Sequence, residues 1–374
     1  MKAWPWRRPL ARAPKLLALT GATALTGAAA VLPLASAPAS AGVSSALIAT
    51  PPGNCHSSFD PYRYTRAALA ACGIRTFART AVRAMPGGGT SYDYSMDGGT
   101  VRTYVPPAAF DPSTATAAQL NEYGFPPRPT DPGALRRWRT EMSNWKGTAP
   151  PAPFLAETGV HMDSMQSPTW SGYVVTEPPG TFNHAEMWYV EPRFYHSRCS
   201  ANSELTWAGI GGAHTSTLSQ DGTSHSALGL RNHQAWWEIL PATAVPVKGI
   251  YGHPDYLFDA SVRRITGGFR FFMYDYYFNI SWATDVTGSA FNRYDGSSAE
   301  AIAERPLVNK IPTNLSNFRT IMVGSALANG SAFNTFNPVG HRHGVHMISN
   351  GRDLADPSGI GPGGSFTITQ HNCN

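Results

Sequence analysis

The chain has 374 residues, 42 % of them apolar, so it can bury the core of one large domain or two ordinary ones. Charged residues are only 14 %, against about 25 % in an average soluble protein, and 36 Gly with 31 Pro argue for a turn-rich rather than a helical chain. Residues 1–41 hold five basic and no acidic residues, 42–165 hold 11 and 9, and 166–374 hold 13 and 15; the +5 excess therefore sits outside the C-terminal part, which offers no electrostatic case for nucleic acid.

The first 41 residues read as a signal peptide: cationic "MKAWPWRRPLARAPK", apolar "LLALTGATALTGAAAVLPLA", then the small-residue site Ala39-Ser40-Ala41. Cleavage near Ala41 and a secreted, extracellular product are expected, with no membrane association afterwards, because no other run approaches about 18 apolar residues. Cys55, Cys72, Cys199 and Cys373 suit an exported chain with disulfides, in any of three connectivities. Pairing Cys55 with Cys72 and Cys199 with Cys373 would keep each bond within its own piece if the chain is cut between its halves. No CxxC spacing suggests a metal.

Residues 42–165 read as a mixed α/β propeptide or N-terminal domain. "PYRYTRAALAACGIRTFARTAVRAM", Pro61 to Met85, has helical spacing; "TSYDYSM" and "TVRTYVP" alternate about Asp97-Gly98-Gly99 as a hairpin. Short helices are predicted near "TATAAQLNEYG" and in "DPGALRRWRTEMSNW", where Asp131 can cap and Pro132 can take the first helical position. "KGTAPPAPF", Lys146 to Phe154, reads as an exposed linker.

Residues 166–374 change character, to short aromatic and β-branched runs split by Gly, Pro, Asn and Asp. "TWSGYVVT", "AEMWYVEPRF", "LTWAGIGG", "HSALGLRNHQAWWEILP", "GGFRFFMYDYYFNISWATDV", "FRTIMVGSA" and "GSFTITQ" are predicted strands of an antiparallel sandwich or barrel. HExxH, GxSxG, Asp-Thr-Gly or Asp-Ser-Gly, and GxxxxGK[ST] are all absent, so the usual hydrolase routes are unsupported.

Three polar features remain. A period of two puts Ser216, Leu218 and Gln220 on one face, and Gln234, Trp236 and Glu238 on another. In "SSAEAIAERP", Glu300 and Glu304 share a side whether the segment is strand or helix. Each has a bland explanation: Glu238 facing solvent from an open sheet, Gln220 flanking an Asp221-Gly222 turn, and "AEAIAER" as an exposed helical turn.

Together, "LTWAGIGG…TLSQDG", "QAWWEILP" and "SSAEAIAERP…LSNFRTIMVGSA" resemble the ordered motifs of the glutamic peptidases, or eqolisins, over roughly residues 167–370. The resemblance implies an all-β, antiparallel two-sheet sandwich of concanavalin-like jelly-roll type behind a pro-segment, and a monomeric zymogen acting on proteins or peptides without a cofactor or metal. It assigns Gln220 as catalytic glutamine and Glu304 as catalytic glutamate, with Trp207, Glu238, Trp170 and Trp236 lining the site. Four positions depart from the family pattern: Gly211 and Gln234 replace aspartates, and Arg305-Pro306 replaces Asp-Phe.

The chemistry suits these residue types. A carboxylate with pKa near about 4.3 stays partly ionised in acid where a His base would not, and an amide can donate to an oxyanion at any acid pH. Two alternatives compete: a lectin-like glycoside hydrolase using Glu238 and Glu304, and a non-catalytic carbohydrate- or protein-binding sandwich. "HRHGVH", with His341, His343 and His346, could present imidazoles to a metal, but no Cys or acidic residue is close by in sequence, so a polar loop is preferred. The aromatic run Phe269 to Trp282 is read as core rather than a carbohydrate platform.

Overall fold

A computed structural model describes residues 48–374 apart from 51–63, 72–74, 97, 150, 152–154, 157–165, 196–201, 214, 226–231, 243 and 309–310. Ala46–Asn374 forms one compact unit. The signal peptide, Cys55, Cys72 and Cys199 lie outside the described residues; Cys373 is disulfide-bonded.

The predicted all-β class is what the chain adopts. Period-two runs become β4 (Trp170–Thr176), β5 (His184–Val190), β6 (Asn202–Gly211), β7 (Leu218–His225), β8 (Gln234–Ile239) and β9 (Val245–Tyr251). They continue as β10 (Leu257–Ile265), β11 (Gly268–Asp275), β12 (Ile280–Thr287), β13 (Ser298–Glu304), β14 (Thr320–Ala328), β15 (Arg342–Ser349), β16 (Arg352–Pro357) and β17 (Phe366–Gln370). One sheet runs β15–β4–β13–β6–β7–β8–β9, antiparallel throughout. β15 leaves β4 after Val345 and its end pairs with β16 in the other sheet, so one strand stitches the two together.

The second sheet begins with the N-terminal hairpin. β1 (Ala78–Ala84), β2 (Thr90–Met96) and β3 (Gly99–Val105) pair in turn, and β3 continues onto β12. From there the order is β12–β11–β10–β5–β14–β17–β16. Both faces of its middle strands are apolar because both are covered. In β11, Phe269, Phe271 and Met273 enter the core shared with the first sheet, while Phe272 and Tyr274 meet the N-terminal layer. The aromatic run is therefore core on two sides.

That layer is α1 (Ala117–Glu122) and α2 (Pro132–Asn144). Thr116 and Gln119 form a capping box on α1; Asp131 accepts from the Ala134 N–H at 2.7 Å, with Pro132 opening α2. Tyr104, Leu120, Phe125, Trp138 and Met142 pack on Trp188, Phe272, Tyr274, Ala283 and Leu327. Each such buried side chain contributes about 1.5–3 kcal/mol. Polar ties accompany them: Arg270 donates to Asp285 and to the Asn121 carbonyl, both at 2.6 Å, and the Tyr104 hydroxyl donates to Asp285 at 2.6 Å.

Two expectations need correction. Pro61 to Met85 is not a long helix: among the described residues only Arg66–Ala70 is helical, and Ala78–Ala84 is strand, since pairing with β2 outweighs a helical spacing of apolar residues. Nor does Lys146 begin an exposed linker, because Gly147–Thr148 pairs in parallel with Ile280–Ser281 and Ala149 is buried.

Beneath α2 three carboxyls are buried together: Glu141 of α2, Glu186 of β5 and Asp259 of β10. The Tyr276 hydroxyl donates to Glu141 at 2.7 Å. Burial is the main cause that lifts all three above the ordinary range, Glu186 to about 7, with the neighbouring carboxyls adding repulsion at Glu141 and Asp259. The folded chain thus keeps protons that the unfolded chain releases near its ordinary 4.5. Stability is full below that value and is lost as pH rises through about 7, so the unfolding free energy should fall across that interval in denaturant titrations. A rise would contradict the buried cluster. Trp138→Ala should lower the unfolding free energy by about 3–5 kcal/mol in one cooperative transition, as expected of an integral layer; a separate early transition would mean an independent N-terminal unit.

Candidate active site

Five neighbouring strands, β4, β13, β6, β7 and β8, set their residues in cross-strand rows on the face turned away from the inter-sheet core. Trp170, Glu304, Leu205, Ser224 and Gln234 form the first row; Gly172, Ile302, Trp207, Gly222 and Trp236 the second; Val174, Glu300, Gly209, Gln220 and Glu238 the third. The intervening residues, among them Ala299, Ala301, Ala303, Ala208, Ile210, Ala235 and Trp237, fill the core between the sheets.

All six residues assigned from the motifs lie on this one face, and all are buried. The bland explanations therefore fail: Glu238 does not face solvent, Gln220-Asp221-Gly222 is mid-strand rather than a turn, and "AEAIAE" is strand rather than helix. Glycines make room for the large rings. A side chain at Gly209 would come within 2.8 Å of the Trp207 ring, and Gly209 instead leaves bare backbone between Glu300 and Gln220.

The Trp207 indole N–H donates to Glu304 Oε2 at 2.8 Å, and Trp170 packs edge-on against Trp207 at 4.7 Å between centroids. Gln220 Nε2 donates to Glu238 Oε2 at 2.6 Å. Gln220 is thus joined to Glu238 and not to Glu304. Gln220 Oε1, Glu238 Oε1 and Glu304 Oε1 are buried with acceptor capacity to spare.

Electrostatically the carboxyls form a set. Burial pushes Glu304 up to about 8 against the pull of the Trp207 N–H. Burial likewise lifts Glu238 to about 8; the Gln220 amide opposes this, and the charge of Glu304 adds to it. Two carboxyls that repel one another ionise in sequence, so one can hold a proton while the other accepts one. Glu300 is also pushed well above its ordinary value by burial. Sequence reasoning placed it on the face of Glu304 without a role; only the register reveals that it, and not Glu304, shares the row of Gln220.

The departures have local reasons. Gly211 has φ +84°, and a Cβ there would lie 2.4 Å from the Thr217 carbonyl oxygen, so this backbone accepts no aspartate. Gln234 is buried on the same face as Glu238, two rows away. Arg305 is buried and donates to Ser349 at 3.1 Å and Asn374 at 3.3 Å, which ties the end of β13 to the C-terminus.

Residues 168–358 match the model of the peptidase A4 family. No curated protein matches the chain. Among solved structures it is similar to scytalido-glutamic peptidase with a transition-state analogue inhibitor, at 16 % identity and TM-score 0.46 over 54 % of this chain and 98 % of that one. It is also similar to SCP-B, an eqolisin in complex with the tripeptide Ala-Ile-His, at 13 % identity and TM-score 0.42 over 54 % and 98 %. Aspergilloglutamic peptidase from Aspergillus niger aligns at 18 % identity and TM-score 0.39 over 46 % of this chain and 99 % of that one. With the motif residues gathered on one face and the family model spanning the strands that carry them, the chain belongs to the peptidase A4 family and is a hydrolase of the glutamic peptidase type.

Proposed function

We propose that the protein is a secreted acid endopeptidase that cleaves proteins or peptides by direct attack of water, with Gln220 holding the oxyanion and a β13 glutamate moving the proton. The observation that carries this reading is the joint burial of Gln220, Glu238, Glu304, Trp170, Trp207 and Trp236 on one face of one sheet. Glu304, oriented by the Trp207 N–H, takes a proton from water and returns it to the leaving amine. Glu238 aims the Gln220 amide and retains a proton of its own in acid. Burial keeps both carboxyls neutral up to about 8, so the working form must admit water to this face before either can act as base.

A second assignment has its own support. Glu300 lies across the bare backbone of Gly209 from Gln220, two strands or about 10 Å away between Cα atoms, with no side chain at Gly209 to separate them. Glu304, two rows further along, would then orient Trp207.

Residues 78–149 remain with the enzyme in this reading. What supports their retention is that β1–β3 extend the second sheet and α2 covers its outer face. A cut within 150–165 would leave them attached non-covalently, and the pairing of Cys199 with Cys373 belongs to the same proposal.

Acidified protein should cleave a denatured protein substrate in a scan over about pH 2–7, with pepstatin and chelators having no effect. Glu304→Gln should lower kcat by roughly 10²–10⁴-fold and Gln220→Ala by roughly 10²–10³-fold. Full activity in Gln220→Ala would sink the mechanism. If Glu300→Gln abolishes cleavage while Glu304→Gln retains a tenth or more, the base is Glu300.

A further inference from the structure

The histidine motif set aside in the sequence gains in the fold the partners it lacked there. β15 and β16 form a hairpin, and β17 runs back along β16 with Asp356 opposite Thr369, so the chain's last residues return to this edge. His346 of β15, Asp353 and Asp356 of β16 and His371 just after β17 come together. His346 Nδ1 lies 2.5 Å from Asp356 Oδ1, and His371 Nε2 lies 3.3 Å from Asp356 Oδ2. One ligand atom each from Asp353, Asp356 and His371 lie within 4.8 Å of one another.

We propose that Asp353, Asp356 and His371 form a binding site for a divalent transition ion of the Zn²⁺ type, with His346 as the partner that orients Asp356. The donor set fits. Two carboxylates balance the ionic charge, an imidazole nitrogen selects a borderline ion over Ca²⁺ or Mg²⁺, and water completes the shell. Ligand atoms in a tetrahedral shell at about 2.0–2.2 Å from the ion sit closer together than 4.8 Å, so the ion would draw these groups inward. Half-exposed imidazoles leave the entry path open.

The backbone around the cluster is already organised. The His371 N–H donates to the Leu354 carbonyl at 2.8 Å, and Asn372 Nδ2 donates to the Asp353 carbonyl at 2.8 Å. Arg305 and Arg352 hold Asn374, and Cys373 is disulfide-bonded. Such a tail pays little entropy to present His371. The ion would clasp the C-terminal strand to the hairpin, and none of its ligands is a residue assigned to the peptidase mechanism, so the inference stands independently of that mechanism.

The test is calorimetric titration of Zn²⁺ into the intact, chelator-stripped protein at neutral pH, with metal content measured by plasma emission. One equivalent should bind with wild-type affinity that Asp356→Asn and His371→Ala each weaken by at least tenfold. His346→Ala should weaken it by roughly 10–100-fold, the usual loss for an orienting partner. His341→Ala, outside the cluster, should leave the isotherm unchanged, and circular dichroism should confirm that every variant is folded. Isotherms identical in wild type, Asp356→Asn and His371→Ala would overturn the site. Ca²⁺ binding as tight as that of Zn²⁺ would overturn the role of His371.

Discussion

The register of β13 against β6, and of β6 against β7, is the constraint on which the rest of the molecule depends. Slipping any of these strands by one residue would turn Glu300, Glu304, Gln220 or Trp207 into the inter-sheet core and bring Ala303, Asp221 or Thr206 to the active face. The alternation is protected from both sides. Small residues of β13 and β6 fill a narrow core opposite the aromatic strands of the second sheet, while on the other face Gly209 leaves room beside the Trp207 indole. The residues that pack the sandwich are interleaved one for one with those of the candidate active face.

The second sheet faces the opposite difficulty, having apolar groups on both sides. Phe272, Tyr274 and Trp188 point away from the sandwich core and would meet water were it not for α2 and the segment before it. The N-terminal part is thus bound to the peptidase part by shared strands and a shared core, and the change of sequence character near residue 165 does not coincide with a break in packing. The carboxyls trapped beneath α2 and those of the active face obey one rule. In both places burial favours the protonated form, and this favours the fold in acid.

Much of this was legible in the strand-rich half. The alternation in "TLSQDG" and "QAWWEILP" gave the faces of Gln220 and Glu238, and the even spacing of Glu300 and Glu304 held under either secondary structure. The helix cap at Asp131 was equally plain, since capping is decided by residues three apart. The N-terminal strand Ala78–Ala84 was misread because its exposed, Ala- and Arg-rich run carries no two-residue pattern of its own and takes its conformation from β2.

The sequence by itself determined which residues point the same way along each strand, because side-chain alternation and capping are local properties of the backbone. It also determined the ordered motif set, and through it the family. Only the tertiary structure decided which rows those residues share. It joined Gln220 to Glu238 and Trp207 to Glu304, and set Glu300 across Gly209 from Gln220. It likewise carried Asp356 to His346 and His371, since pairing between strands depends on turns and packing that no single segment encodes.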